Sequence, residues 1–498
     1  MKANKKSINQ IVIVGGGTAG WMTAASISAL IGKGLSVTLI ESDQIGTVGV
    51  GEATIPTFFA LHQLLKIDES EFLSAVQGTI KLGISFENWH TLGESYIHAF
   101  GHTGKSCWAA GFHHFWLKGK ENGFSEDYGC YSPELTAAKS EKFGFLKQNP
   151  LNYAYHLNAG LYAKFLRKIA EQNGVIRKEG KIVQVSKTDD ENISNVALES
   201  GEIIGGDLFV DCSGFAGLLI DKALETPYTD WSNWLPCDRA VALQTQSTGA
   251  PVPYTRSIAH QSGWQWRIPL QSRVGNGLVY SSKYMEDKEA LDLLMANVDG
   301  EIISKPNFIK FKTGQRVKHW SKNCVAIGLS AGFLEPLEST SIHLIQRAII
   351  RLMQMFPSNG FTDSDRDEFN KQMSDEYEYI RDFIIMHYHV TKRDDSAFWR
   401  YCRTMDIPAT LQHKLDLFLE AGRVFHGEGD VFAENSWTQV MLGQGLTPEQ
   451  YHPIVNMMSN KELESFLANL KAMVDHSVGQ LPSHDVFLRK YCPAPNIA

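Results

Sequence analysis

Three features of this 498-residue sequence predict an α/β fold: a β-branched run leading into Gly15-x-Gly17-x-x-Gly20, two later apolar strands that end in small residues, and a helical periodicity that takes over after about residue 345. They describe a Rossmann-like three-layer module with antiparallel sheet insertions over residues 1–345, including pocket loops around 80–150, and a mainly helical module over residues 346–498. Composition bounds what such a chain does. With 43% hydrophobic and 20% charged residues it can bury a sizeable core, and a net charge of -8 without basic clusters argues against nucleic acid or an anionic membrane as the main partner. A small-molecule site is expected instead. Seven cysteines spread singly, with no C-x-x-C pair, indicate free thiols in a reducing, cytoplasmic setting and argue against zinc.

Taken in order, Lys2, Lys5 and Lys6 precede an uncharged run that begins at Ser7, but Gly15 to Gly17 cut its apolar part after Ile11-Val12-Ile13-Val14. That is too short for an export core or a membrane span. Ile11 to Val14 instead reads as a buried parallel strand, followed by a helix whose inner stripe includes Ala19, Met22, Ala25, Ile27 and Leu30, and by a second strand, Leu35 to Ile40, ending at Glu41. This is the dinucleotide-binding βαβ pattern. Gly15 permits the tight turn, Gly17 lets the amides around Thr18 and Ala19 approach a pyrophosphate, Gly20 lets helix and strand pack closely, and Glu41 accepts from ribose hydroxyls. Later, a hairpin around Glu199-Ser200-Gly201-Glu202 precedes the strand Asp207 to Ser213, and the strand Asn323 to Ile327 ends at Gly328. Three remote strand ends around one extended cofactor are the arrangement of glutathione-reductase-type flavoproteins and favour FAD. No second G-x-G-x-x-G follows a strand, so a separate NAD(P)H domain is not evident.

Three further segments carry candidate chemistry. In Ile80 to Phe86 the alternation places Lys81 and Ser85 opposite Ile80, Leu82, Ile84 and Phe86, which suits either a solvated face or a site. Trp264 and Trp266 alternate in the same way and suit either core or a wall. Glu338, with Glu335 as its rival, precedes a helix expected to begin near Ser339 and to bury Ile342, Ile345, Ile349 and Leu352.

Taken together, Gly15-x-Gly17-x-x-Gly20-Trp21, Val50-Gly51-Glu52-Ala53-Thr54-Ile55-Pro56, the Lys81 region, Trp264-x-Trp266-x-Ile268-Pro269 and Glu335-Pro336-Leu337-Glu338-Ser339-Thr340 resemble the flavin-dependent tryptophan halogenase family, in its order and over most of the chain. The resemblance implies FAD, received reduced from a separate flavin reductase, with Ala53 and Leu337 joining the cofactor site. It implies that reduced FAD, oxygen and chloride or bromide give hypohalous acid, which passes to Lys81 and then to an electron-rich, indole-type ring. Glu338 becomes the matching carboxylate, and Trp264 and Trp266 a partition between flavin and substrate. Thr340 and Ser341, at a helix N-terminus, become the halide site. The family has glycine where this chain has Ser341, which bears on that site's geometry. An aromatic monooxygenase, transferring oxygen directly to its substrate, is the alternative reading.

On the substrate side, Phe369, Met373, Tyr377, Ile380 and Ile384 describe one long amphipathic helix. His387 and His389, two apart, point away from each other on it and make no chelate; His113-His114 is no better. By resemblance, His98 and Phe100 line the substrate ring. Trp437 lies where the tryptophan-specific enzymes hold the amino acid's charged groups, yet the segment Asn435 to Gly445 lacks their tyrosine- and glutamate-rich pattern. A bare indole or a larger aromatic is therefore expected rather than free tryptophan. The oligomeric state is open, a homodimer included.

Overall fold

In the computed structural model, which describes residues 7–31, 34–46, 52–427 and 429–495, the glycine-rich opening folds as the sequence predicts. The strand Gln10–Val14 is followed by the helix Thr18–Leu30 and the strand Ser36–Glu41. A strand with branched apolar residues on both faces belongs inside a covered sheet. Parallel neighbours flank it, Ser36–Glu41 on one side and Leu208–Asp211 on the other. The sheet runs Trp320–Ser321, Cys324–Ala326, Leu208–Asp211, Gln10–Val14, Ser36–Glu41, Ile176–Glu179, parallel except at Trp320–Ser321.

The chain forms two compact units, residues 1–76, 157–233 and 309–378 in the first, and 77–156, 234–308 and 379–498 in the second. Each unit draws on three stretches of sequence, so nearness along the chain does not decide membership. In the first unit the helices Thr18–Leu30 and Ala159–Gln172 pack together over the parallel sheet. On its other face Val12, Val14, Ile40 and Phe209 share a core with Ile193, Val196 and Leu198 of a three-stranded antiparallel sheet. Its hairpin turns at Gly201, at φ +89, as expected from Ser200-Gly201. These are the three layers.

The larger sheet of the second unit has seven strands, Asn307–Lys310 at its edge and then Arg239–Gln246, Arg273–Tyr280, Gly263–Pro269, Thr255–His260, Gly83–Glu87 and Ser95–Ala99. Among the last six, neighbours are antiparallel except Thr255–His260 with Gly83–Glu87. Here the structure corrects one expectation. Ile80 to Phe86 is not one strand with a wet face: Thr79–Lys81 pairs antiparallel with the strand beginning at Ala154, whereas Gly83–Glu87 joins the larger sheet. Leu82 links the two, its N–H donating to the Pro253 carbonyl at 2.7 Å and its carbonyl accepting from Phe100 at 2.9 Å. Gly83 is required beside it, because a Cβ there would overlap the His98 carbonyl. Every residue from Val76 to Phe86 is buried, so the alternation separates two covered faces.

The long helix is Asp363–His389, and its expected stripe, Phe369, Met373, Tyr377, Ile380 and Ile384, is buried throughout. Among the described residues no helix is long and apolar enough to cross a membrane. The seven cysteines are all free.

A Cβ on Gly20 would overlap the Gly15 carbonyl, whereas a Cβ on Gly17 meets open space. Gly20→Ala should therefore lower stability by about 1–3 kcal/mol, read as a drop in thermal midpoint. Gly17→Ala should stay within about 0.5 kcal/mol of wild type and lose dinucleotide retention instead. Equal thermal midpoints for the two variants would contradict this.

Candidate active site

The cradle in the first unit is assembled at the carboxyl ends of parallel strands, where open α/β sheets bind ligands. Gly15 turns at φ +110, with its α-carbon against the Cys212 carbonyl. The helix Thr18–Leu30 begins at Gly17 with no side-chain cap and no acidic residue in its first turn, leaving its leading amides for an anion. Gly328, at φ +81, faces Ala19. Asp211 holds the neighbouring turn: its carboxylate accepts from the Ser213 amide and hydroxyl at 2.9 and 2.6 Å, and from the Leu219 and Ile220 amides at 2.8 Å each. Glu41 ends its strand with Trp21 Nε1 donating to Oε2 at 3.3 Å and Arg177 donating to Oε1. A carboxylate has about four acceptor positions, so it keeps capacity for a ribose hydroxyl. Uncapped amides, the open space at Gly17 and the terminal acid fit FAD. Ala53 and Leu337 are both buried in this unit. Val50 and Gly51 of the expected motif lie outside the described residues.

The same unit holds the Glu335 to Ser341 segment. Glu335 and Glu338 are both buried, Glu335 just before a 3₁₀ turn, Pro336–Glu338, and Glu338 as its last residue. Ser339 follows in the left-handed region, φ +61, a conformation that costs about 1–3 kcal/mol when imposed on a non-glycine residue. It reverses the chain, so the helix begins at Ser341 rather than near Ser339 and runs to Gln354. Thr340 is its N-cap residue, makes no capping hydrogen bond, and has a buried Oγ1 without a partner. The uncapped helix start beside this hydroxyl offers N–H and O–H donors to a small anion. Ser341 does not fall at positive φ, so serine is accommodated without strain where the family has glycine.

Two acids, the part-buried Glu52 and the buried Glu376, were not singled out as functional from sequence. Desolvation pushes the Glu52 carboxyl up to about 7. Glu376 goes the other way. Burial raises it, but the His343 hydrogen bond and the charges of Arg351 and Arg347 outweigh burial and hold it at about 2. His343 Nε2 donates to Glu376 at 2.7 Å, and its Nδ1 bonds the Thr57 hydroxyl at 2.7 Å, which ties the helix Ser341–Gln354 to the Pro56–Phe58 turn. Ile55-Pro56 marked this region in the sequence, but the partner from residue 376 could not be read there.

In the second unit, Lys81 has 0% exposure, and its Nζ lies 5.3 Å from the Phe100 ring centroid. The solvated alternative for Lys81 is thereby overturned. His98, 3% exposed, lies 5.7 Å from Phe383, which stacks on Phe432 at 3.8 Å and meets Trp437 edge-on at 4.8 Å. The structure thus links His98 to Trp437 through Phe383 and Phe432, neither of which the sequence marked; Phe383 is three residues beyond Ile380 on the expected helix stripe. Gln439 extends the edge strand Ser95–Ala99 as a backbone would, accepting from the Ala99 amide and donating to its carbonyl, both at 3.0 Å. Asn435 donates to the Gly101 carbonyl at 2.7 Å. Asn435 and Gln439 are therefore spent on placing His98 and Phe100.

The indoles divide. Trp264 is buried within reach of Trp89 at 6.4 Å, as core. Trp266, part-exposed, lies across Gly277, where a Cβ would overlap its ring. His387 and His389 bond the carbonyls of Phe383 and Cys402 through Nδ1, and among the described residues no group of three or more His, Cys, Asp or Glu is placed to hold a metal.

The tryptophan halogenase family model matches residues 10–460. The fold is similar to that of a flavin-dependent halogenase from Xanthomonas campestris, with a TM-score of 0.98 and 51% identity over 99% of this chain and 100% of that one. A flavin-dependent halogenase from Brevundimonas sp. BAL3 matches with a TM-score of 0.94 and 42% identity, over 98% and 99%. The tryptophan 6-halogenase SttH of Streptomyces toxytricini is 33% identical, over 96% of this chain and 98% of its own length.

The ion pairs of Glu376 with His343, Arg347 and Arg351 make the stability they contribute depend on pH. The folded pKa of Glu376, about 2, is below the ordinary 4.5. The pairs therefore contribute fully above about pH 4.5, and their contribution is lost as pH falls towards 2. Glu376→Gln should lose about 3 kcal/mol at pH 7, with the deficit against wild type shrinking below about pH 4.5 in denaturation curves. A deficit independent of pH would refute the assignment.

Proposed function

Because the chain belongs to the tryptophan halogenase family, as a flavin-dependent halogenase with FAD as cofactor and a halide as co-substrate, we propose that Lys81 delivers the halogen to an electron-rich aromatic ring and that Glu338 is the accompanying carboxylate. When bound, reduced FAD supplies with oxygen and halide the hypohalous acid that Lys81 receives. The observation that carries the reading is the burial of Lys81 against Phe100. Burial fixes the amine in place, and one amine fixed beside a ring turns an indiscriminate oxidant into a positioned one. Phe100 and His98 line the ring, with Trp437 behind them. Glu338, buried in the turn before Ser339, stabilises the cationic ring intermediate and takes its proton. Thr340 and Ser341 hold the halide through the uncapped helix start. Trp264 and Trp266 form the partition between flavin and substrate, Trp264 as its core and the part-exposed Trp266 as its face.

The substrate we infer is a bare indole or a larger aromatic. Support comes from Asn435 and Gln439, whose amides are engaged by the backbone at Gly101 and Ala99 and so are not free to clamp an amino acid's ammonium and carboxylate. Reduced FAD comes from a separate reductase, in keeping with the single G-x-G-x-x-G motif, and seven free cysteines support a cytoplasmic setting.

The test supplies reduced FAD, oxygen and bromide with indole and follows brominated product by mass spectrometry. Lys81→Ala should abolish product while retaining FAD, and Glu338→Gln should lower kcat by about 10²-fold or more. Oxygenated product formed without halide would instead mark the aromatic monooxygenase. With the wild-type enzyme, kcat/KM for indole should exceed that for free tryptophan by about tenfold or more, equivalent to about 1.4 kcal/mol; parity would remove the substrate assignment.

A further inference from the structure

The strand that carries Lys81 is held from outside its own ladder. Across the ladder, Thr79, Ile80 and Lys81 stand opposite His156, Tyr155 and Ala154. On the other side the Ile80 N–H donates not to a strand but to His484 Nε2, at 3.2 Å. His484 is buried at the first position of the helix His484–Tyr491, which Ser483 caps. Its Nδ1 lies 2.7 Å from the Pro251 carbonyl. A carbonyl only accepts, so Nδ1 carries the proton and Nε2 is the free acceptor; only the neutral imidazole makes both bonds. Similar logic places a proton on His156 Nδ1: Thr79 donates to the Pro269 carbonyl at 2.7 Å and so accepts from His156 Nδ1 at 2.8 Å, while His156 Nε2 lies 2.9 Å from the Thr255 hydroxyl. Just upstream, Gln271 Nε2 donates to the carbonyls of Gly78 and Cys492 at 2.7 and 3.0 Å, and its Oε1 accepts from Ala494 at 2.8 Å. The C-terminal segment thus holds this short strand at its middle, Ile80, and, through Gln271, at the residue before it, Gly78.

We propose that His484 is a positioning residue for halogen transfer: its neutral imidazole holds the Ile80 amide and thereby sets where the Lys81 amine stands. The inference rests on the reading of Lys81 as the delivering amine. Burial also keeps both rings neutral. It lowers His484 to about 4, and it lowers His156 well below the usual range with help from the charges of Lys81 and His484. No imidazolium then competes with the amine. The coupling matters because a misplacement of about 1 Å at a reacting group costs about 10²-fold in rate.

The two ring nitrogens separate structure from function. His484→Asn retains a donor for Pro251 and loses the acceptor for Ile80; His484→Gln reaches Ile80 and gives up Pro251. In the full-length FAD-loaded enzyme with bromide, total oxidant is measured with a scavenger and bromoindole by mass spectrometry. His484→Asn should make oxidant at the wild-type rate, while bromoindole per oxidant falls about tenfold or more with KM for indole unchanged; His484→Gln should stay within about threefold of wild type. A parallel loss of oxidant, thermal midpoint and product in both variants, or an unchanged ratio in His484→Asn, overturns the proposal. Gln271→Leu loosens the same strand at Gly78, just before its first residue, and should lower the ratio too; an unchanged ratio there overturns the clamp even if His484→Asn does not fold. Lys81→Ala runs alongside: full bromination in that variant defeats the reading of Lys81 itself, whereas an inactive Lys81→Ala with a fully coupled His484→Asn defeats only the role of His484.

Discussion

Withdrawing a lysine side chain from water costs several kcal/mol if the charge is kept, and the second unit is organised around tolerating one at Lys81. The surrounding chain, Val76 to Phe86, is buried without a break. One ring face, Phe100, lies at cation–π distance. His484 is bonded in a way that only a neutral tautomer satisfies, and burial holds His156 well below the usual imidazole range. A buried amine in such surroundings has a defined position and few competitors for an electrophile. Those are the properties required of a group that receives a reactive halogen species and releases it to one ring atom.

The first unit applies a related logic to acids. Glu376 and Glu52 are the same side chain in opposite circumstances: His343, Arg351 and Arg347 hold the one well below the ordinary carboxylate range, and desolvation raises the other towards neutrality. Asp211 has a third arrangement, spending its oxygens on four donors that set the turn beside the glycine cradle. The strained Ser339 separates the buried Glu338 from the helix start at Ser341, so a carboxylate and an anion-receptive amide cluster stand close in sequence without sharing one helix.

Much of this was legible because it is local. The glycine spacing, the β-branched strand, the hairpin at Gly201 and the stripe Phe369 to Ile384 depend on backbone geometry and periodicity within a few residues. Lys81 was legible only through its resemblance to a motif. Period-two alternation reports which residues share a face; it does not report that both faces are covered, and here they are. For Trp264 and Trp266 the same pattern concealed a difference, since one ring is core and the other lies part-exposed over Gly277.

By itself the sequence indicated the dinucleotide-binding βαβ opening and the three-layer class, since those follow from steric allowance at glycine and from apolar period. The tertiary structure alone decided that Lys81 is buried, that Phe383 and Phe432 join His98 to Trp437, that Glu376 reaches His343, and that His484 grips Ile80 from 404 residues away. Hydrogen bonds and desolvation act over a few ångströms in space, and no pattern along the chain records which distant segments the fold will bring to that range.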